Sequence, residues 1–299
     1  MPKIENRDLL ATCWTWAGDA APARGDEKSP IDMSTRVKAV SEAGWEGVGI
    51  AHADVAVVRD SVGLPALKAM LDDHGIRHVE LEFISNWWAT GDERLASDKV
   101  RRELFEAAAA LGVTTIKVGA ELGSFGKAGG APIDHFASSF NDLATDAGNH
   151  GVRVALEPMP MSNIMTIADG AALVKDVANA SGGLVVDTWH IGRANTPFSE
   201  LPKILPMEYV FVVELDDADA EVVGSLWDDT INQRRLPGEG VLDTAAFVAA
   251  MHQAGWRGHW GVEIISEEQR QRPLDEAVSL ARSATLATID RAEELLRIP

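Results

Sequence analysis

An eightfold alternation constrains this chain more than any other feature. Short apolar, β-rich runs recur at LLATCWTW (9–16), GVGIAH (47–52), HVELEFI (78–84), TTIKVGA (114–120), VRVALE (152–157), GLVVDT (183–188), YVFVVEL (209–215) and HWGVEII (259–265). Helical stretches separate them, among them MSTRVKAVSEAG, LPALKAMLDDHG and ERLASDKVRRELFEAAAALG. Several stop at glycine, which takes the left-handed conformation of a helix end without a steric penalty. Strands that are each followed by a helix pair in parallel. Parallel strands are covered on both faces, which explains why these runs are continuously apolar rather than alternating.

Eight such units in 299 residues fit a closed (β/α)8 TIM barrel, one domain over 1–299, better than an open doubly wound sheet, which uses fewer strands. No G-x-G-x-x-G follows a strand. The glycine-rich stretch GSFGKAGG (123–130) has the wrong spacing for a dinucleotide or P-loop site and reads as a mobile loop. ELPKILP, between the sixth and seventh runs, has room only for a stunted helix, and PLDEAVSLARSATLATIDRAEELL reads as a long closing helix. Two long connections, 17–32 and 217–240, are candidate lids.

Composition narrows the function. Apolar residues make up 46% of the chain, enough for a large core, and no window of roughly 18 apolar residues suggests a membrane span. The opening MPKIENRDLL lacks the apolar centre of a secretory signal. Cys13, the single cysteine, excludes an internal disulfide and fits a reducing cytoplasm, so the expected location is cytoplasmic. Acidic residues outnumber basic ones 46 to 27, a net charge of -19. A nucleic-acid binder needs a basic face to meet phosphates, so neither nucleic acid nor a membrane is an expected partner. The acidity serves solubility.

The chemistry of a barrel sits where its strands end. Four consecutive runs deliver a carboxylate there: Glu157, Asp187 (with His190 three residues on), Glu214 (followed by Asp216 and Asp217) and Glu263. Taken singly, each would be read as a helix cap or a loop acid. Together, pointing inward at one level, they repel strongly in a low dielectric. A divalent cation offsets that charge, and an all-oxygen donor set favours Mn²⁺ or Mg²⁺ over Zn²⁺.

ALEPMP, VVDTWHIGR, RRLPGEGVLD and GHWGVEIIS, in this order, resemble the xylose-isomerase-like barrel family of sugar phosphate isomerases and epimerases. That family includes ketose 3-epimerases, hydroxypyruvate isomerase and inosose dehydratase. The resemblance covers almost the whole chain, with its specific motifs in residues 151–266. It implies that Glu157 and Glu263 bind the metal and form the acid/base pair, that Asp187 is a further ligand, and that His190 reaches the substrate. The fourth ligand of the family is usually His or Gln; here the position holds Glu214. Four carboxylates around a dication leave a formal charge of -2, which calls for a proton or a hydrogen-bonding neighbour. A register shifted by one would turn Glu214 outward, and His190 would then be the alternative ligand. The resemblance also implies that an arginine before the P-G-E-G turn contacts a substrate oxygen. Arg234 and Arg235 both stand there, and Arg235 is taken as the contact. Relatives of this kind often form dimers or tetramers, which leaves a homo-oligomer open.

Other side chains near strand ends are candidate substrate contacts. His52 and Lys117 reach the mouth if they point inward; a satisfied buried histidine and a lysine facing the helix layer are the structural alternatives. Nine tryptophans against one tyrosine is a skewed aromatic set. Trp14, Trp16 and Trp88, with Trp87 and Trp189, fall at or just past strand ends, where indoles cover the C–H faces of sugars or simply pack. Trp45, Trp256 and Trp260 read as packing. The expected activity is proton transfer beside the carbonyl of a small carbohydrate, an isomerase or epimerase acting through a metal-stabilised enediolate. The alternative is a lyase or dehydratase on a keto-sugar, keto-cyclitol or 3-keto-glycoside at the same site. An abasic-site endonuclease, which shares this barrel, needs a histidine-rich metal cluster and a basic groove; eight scattered histidines on a chain of charge -19 argue against it.

Overall fold

The computed structural model describes residues 3–122 and 131–297; the glycine-rich stretch 123–130 lies outside them. The apolar runs become strands β1 (Leu9–Ala11), β2 (Gly47–Ala51), β3 (His78–Ile84), β4 (Thr115–Gly119), β5 (Arg153–Glu157), β6 (Gly182–Asp187), β7 (Val210–Leu215) and β8 (Trp260–Val262). Every neighbouring pair is parallel. The sheet closes in the order β1-β8-β7-β6-β5-β4-β3-β2, a TIM barrel ringed by helices.

Local chemistry sets the element boundaries. The helix Ile167–Val177 starts at a reciprocal cap: Thr166 Oγ1 accepts from the Asp169 N–H while the Asp169 carboxylate accepts from the Thr166 N–H. The helix Gly91–Leu111 stops at Gly112, whose φ of 72° is left-handed. The short ELPKILP segment before β7 has room for one-turn pieces, Phe198–Glu200 and Leu201–Ile204. The closing helix runs over Leu274–Leu295 and packs on the helices Thr244–Ala254 and Met33–Glu42. Among the described residues no helix is long and apolar enough to cross a membrane.

The first strand is shorter than the apolar run that announces it. After Ala11 the chain turns into a 3-10 helix, Cys13–Thr15. The Thr12 and Thr15 hydroxyls both donate to the Val262 carbonyl, at 3.1 and 2.6 Å, curling the segment over the end of β8. A hydropathy pattern cannot register two hydroxyls that share one carbonyl.

Candidate active site

Glu157 and Asp187 are the last residues of β5 and β6, Glu214 is the penultimate residue of β7, and Glu263 follows β8 directly. The register places Asp187 beside Glu214, and Glu214 beside Gly261. Gly261 leaves room for this: a Cβ there would stand 2.9 Å from Glu214 Cγ. Gly49 does the same for Glu82, whose Oε1 would lie 3.0 Å from an added Cβ. One oxygen from each of Glu157, Asp187, Glu214 and Glu263 lies within 4.8 Å of the others, and all four residues are buried. Glu157, Asp187 and His190 form a second such group.

The D-x-x-H spacing has a local cause. Asp187 ends β6 and caps the short helix Thr188–Arg193, its Oδ1 accepting from the His190 N–H at 2.8 Å. One turn later the His190 ring stands over the site, with Nε2 3.2 Å from Glu157 Oε1. Asp217 serves architecture instead: its carboxylate accepts from the N–H groups of Gly238 and Leu242, at 3.0 and 2.8 Å, and clamps the P-G-E-G turn.

The repulsion expected among the carboxylates is met in part by neighbouring cations of the protein itself. Lys117 points into the barrel, fully enclosed, with Nζ 2.7 Å from Glu214, 2.8 Å from Glu82 and 3.3 Å from Glu263. Arg234 places Nη1 2.8 Å from Asp187 and 3.0 Å from Glu263, and also pairs with Asp216. Burial disfavours the Lys117 ammonium, but Glu214, Glu82 and Glu263 together outweigh it and hold its pKa well above the ordinary lysine value. Burial pushes Glu214 and Asp216 well above the usual carboxylate range, with Asp187 adding to the rise of Asp216. Glu263 is pushed up to about 7 by burial, against Lys117 and Arg234. Asp187, although buried, is held low by Arg234 and His190.

Even so, within this cluster Glu214 Oε2 and Asp216 Oδ1 are buried without a hydrogen-bond donor, and Glu157 Oε1 has the His190 ring 3.2 Å away but no well-formed hydrogen bond. Orphaned buried acceptors are uncommon and need a partner from outside the protein. A close set of carboxylate oxygens is the donor set of a hard or borderline dication. The residues therefore fit a divalent metal.

Above this cluster opens a cavity of about 450 Å³. Glu157, Glu263, His190 and Arg234 lie on its inner end, and Trp14 and His52 on its wall. Both candidate lids border it, through Pro22 and Glu27 of the first and Trp227, Thr230 and Ile231 of the second. Four expected contacts lie elsewhere. Lys117 is enclosed among Glu82, Glu214 and Glu263 and does not line the cavity. Trp16 is fully buried, its indole N–H donating to the Gly49 carbonyl at 2.8 Å and its ring under Arg36. Trp88 packs edge-on against Trp87 and against Phe136. Arg235 turns away and pairs with Asp219 and Glu268. Arg234 and Arg235 pair with Ala218 and Asp217 in a two-stranded ribbon; neighbours on a strand face opposite sides, so only Arg234 enters the site. His52 is tied to Glu103 at 2.7 Å.

Two side chains of the site went unremarked in the sequence, and Asp216 was named only as a follower of Glu214. Glu82 sits in an alternating strand and passes for a solvent-facing acid. Trp227 lies on a seven-residue helix, Leu226–Asn232, inside a long connection; no periodicity marks it.

Comparison with known proteins agrees with the barrel fold. The inosose isomerase of Halalkalibacterium halodurans is 27% identical over 152 residues, which is 50% of this chain and 52% of that protein. The 3-dehydroshikimate dehydratase of Pseudomonas aeruginosa is 25% identical over 245 residues, 81% of this chain and 37% of that protein. The chain thus spans about half the length, or less, of these curated relatives. Among solved structures, that of IOLI protein with a binding zinc atom superposes with a TM-score of 0.79 at 18% identity, covering 95% of this chain and 99% of that one, a likeness of fold. The family described as Xylose isomerase-like TIM barrel matches residues 37–284, and the chain belongs to that family.

Proposed function

We propose that this protein is a divalent-metal-dependent isomerase or epimerase of a keto-sugar or keto-cyclitol. The observation that carries this reading is the convergence of Glu157, Asp187, Glu214 and Glu263, one oxygen from each within 4.8 Å of the rest, beside a 450 Å³ cavity that Glu157 and Glu263 line. These four residues would hold the metal. When bound, it would polarise a carbonyl and offset negative charge developing beside it.

The remaining work falls to the chain's own groups. Glu157 and Glu263 come from different strands and reach the same point, so one can take a proton from the carbon next to the carbonyl while the other returns it. Arg234 locks Glu263 and Asp187 in place. His190 stands within 3.2 Å of Glu157 and is placed to hold a substrate hydroxyl. The carboxylate donor set favours Mn²⁺ or Mg²⁺; the zinc carried by the neighbour of similar fold makes zinc the comparison to run.

A second reading, loss of water after the same proton abstraction, is favoured by the likeness to the 3-dehydroshikimate dehydratase across 81% of this chain. One experiment separates the two. The protein, loaded in turn with Mn²⁺, Mg²⁺ and Zn²⁺, is incubated in deuterated water with ketoses, keto-cyclitols and 3-keto-glycosides and followed by NMR. Deuterium at the carbon beside the carbonyl, with an epimer or isomer appearing, is the expected result. An ultraviolet-absorbing conjugated product favours dehydration, and the absence of any exchange with every metal overturns both.

A further inference from the structure

The second long connection, 217–240, is bolted to the site at its one helix. That helix, Leu226–Asn232, has seven residues, too few to be stable alone, so side chains must hold it. A reciprocal cap between Ser225 and Asp228 starts it. Arg270 ties its end, donating to the Ile231 carbonyl at 2.7 Å and to Asn232 Oδ1 at 2.6 Å. In the middle stands Asp229, fully buried. Its Oδ2 accepts from Arg193 Nε and Nη2, at 3.0 and 2.8 Å, and its Oδ1 accepts from the Val223 N–H at 2.9 Å. Two donors of one planar guanidinium meet there, which fixes orientation as well as distance. Arg193 is the last residue of the helix that Asp187 caps and that carries His190.

The next residue, Thr230, is also buried and lines the cavity. Its Oγ1 accepts from Arg234 Nε at 3.3 Å and from Nη2 at 3.0 Å. The remaining nitrogen, Nη1, is shared by Asp187, Asp216 and Glu263. Three carboxylates around one nitrogen do not select a single orientation of the guanidinium; the hydroxyl on its Nε–Nη2 edge does. The contacts run from Arg193 through Asp229, Thr230 and Arg234 to Asp187 and Glu263, and they close into a ring through the helix Thr188–Arg193, which starts at Asp187. Resting on the reading of Glu263 as one of the acid/base pair, we infer that Asp229 is a positioning residue for the proton transfer. Anchored by Arg193, it keeps Thr230 on Arg234 and so sets where Arg234 holds Glu263 and Asp187. An Asp229 that only kept the connection folded would leave Arg234 where its three carboxylates put it.

Arginine side-chain NMR tests this without turnover. The Nε–H resonances of Arg193 and Arg234 in the Mg²⁺-loaded protein are assigned by their loss in Arg193→Lys and Arg234→Lys. Asp229→Asn should speed exchange of the Arg234 Nε–H with water by about tenfold or more, together with that of Arg193. An Arg234 rate that stays at the parent value in Asp229→Asn overturns the inference. If that variant does not fold, Arg193→Lys, which keeps the charge and loses the planar pair of donors, carries the same test on Arg234. The reaction supplies a second readout, deuterium incorporation beside the carbonyl of an inosose, the keto-cyclitol in the name of one relative. Asp229→Asn should lower kcat roughly 10 to 10²-fold while KM stays within about threefold. Asp229→Asn and Thr230→Val combined should be no slower than the slower single variant, because both act through Arg234. A loss confined to KM, or losses that multiply, overturns the inference. A parent protein that exchanges no proton sinks the reading of the reaction alone, and the Arg234 rate still decides whether Asp229 positions it.

Discussion

The two ends of the barrel treat their acids differently. At the amino end, Asp8 meets His78 at 2.8 Å and Arg77 at 3.0 Å, and Glu80 meets His259 at 2.9 Å. The two imidazoles stack with centroids 4.6 Å apart. Each acid there has its own base. At the carboxyl end Glu82, Asp187, Glu214, Asp216 and Glu263 share two permanent cations, Lys117 and Arg234, and Glu157 meets the His190 ring. The pKa directions follow this contrast. Burial works against the Asp8 carboxylate, yet His78 and Arg77 hold it below its ordinary value, while burial drives Glu214, Asp216 and Glu263 up. Acids matched by bases close a barrel; a deficit of cations leaves an end prepared to take up a metal or a proton.

The largest effects should come from breaking the crowded end. Glu157→Gln and Glu263→Gln keep shape and remove the base. Each should slow exchange of the proton beside the substrate carbonyl by roughly 10² to 10⁴-fold, measured by deuterium incorporation, with the thermal transition retained. Exchange surviving in both variants would remove the carboxyl end from the chemistry.

Next in size is Lys117→Met. It strips the donor from Glu214 Oε1 and the shared cation from Glu82 and Glu263. Loss of one member of a buried ion pair costs on the order of 3–5 kcal/mol. The metal-free variant should unfold at correspondingly lower denaturant, and Mg²⁺ or Mn²⁺ should recover more stability in it than in the parent. A variant as stable as the parent would show that Lys117 does not balance these charges.

Much of this was legible in the chain, and the failures have physical causes. The barrel follows from apolar runs broken by helices, and Glu157, Asp187, Glu214 and Glu263 stand out because each interrupts or closes such a run. Glu80 and Glu82 do not stand out: in HVELEFI they alternate with apolar residues as in a strand with one wet face, yet both point into the barrel, 3% exposed each. Lys117 was visible as a strand lysine, but its partners come from β3, β7 and the end of β8, which only closure of the sheet brings together. Arg234 and Arg235 differ by one step of a two-residue ribbon, and a parity fixed by pairing to residues 217–218 cannot be counted from the arginines themselves. Trp16 and Trp88 were misplaced for the same reason, since an apolar strand end does not say which side of the barrel wall an indole enters.

The two ends should also part company in their response to pH. Glu263 has a folded pKa of about 7 against an ordinary value of 4.5. A raised folded value means that its contribution to stability is complete below about 4.5 and is lost as pH rises through about 7. Metal-free protein should therefore lose up to about 3 kcal/mol between pH 5 and 8 through this group. Glu263→Gln should flatten that slope in urea unfolding curves. A dication competes with the same proton, so metal affinity should fall as pH drops below about 7. An unchanged slope in Glu263→Gln would place the proton elsewhere in the cluster.

The smallest effect belongs to the amino end. Asp8 is held below its ordinary value of 3.8 despite partial burial. A lowered folded value contributes stability above the unfolded pKa, and that contribution is lost as pH falls below about 4. With the Asp8 and Arg77 side chains 26% and 60% exposed, solvent screening limits the gain to about 0.5–1 kcal/mol. Asp8→Asn should cost no more than this at pH 7 and progressively less as pH falls below about 4, judged by urea unfolding across that range. It should leave deuterium exchange and Mg²⁺ affinity within twofold of the parent. A larger change in either would mean that charge at one end of the barrel is felt at the other, and the division of labour between the two ends would fail.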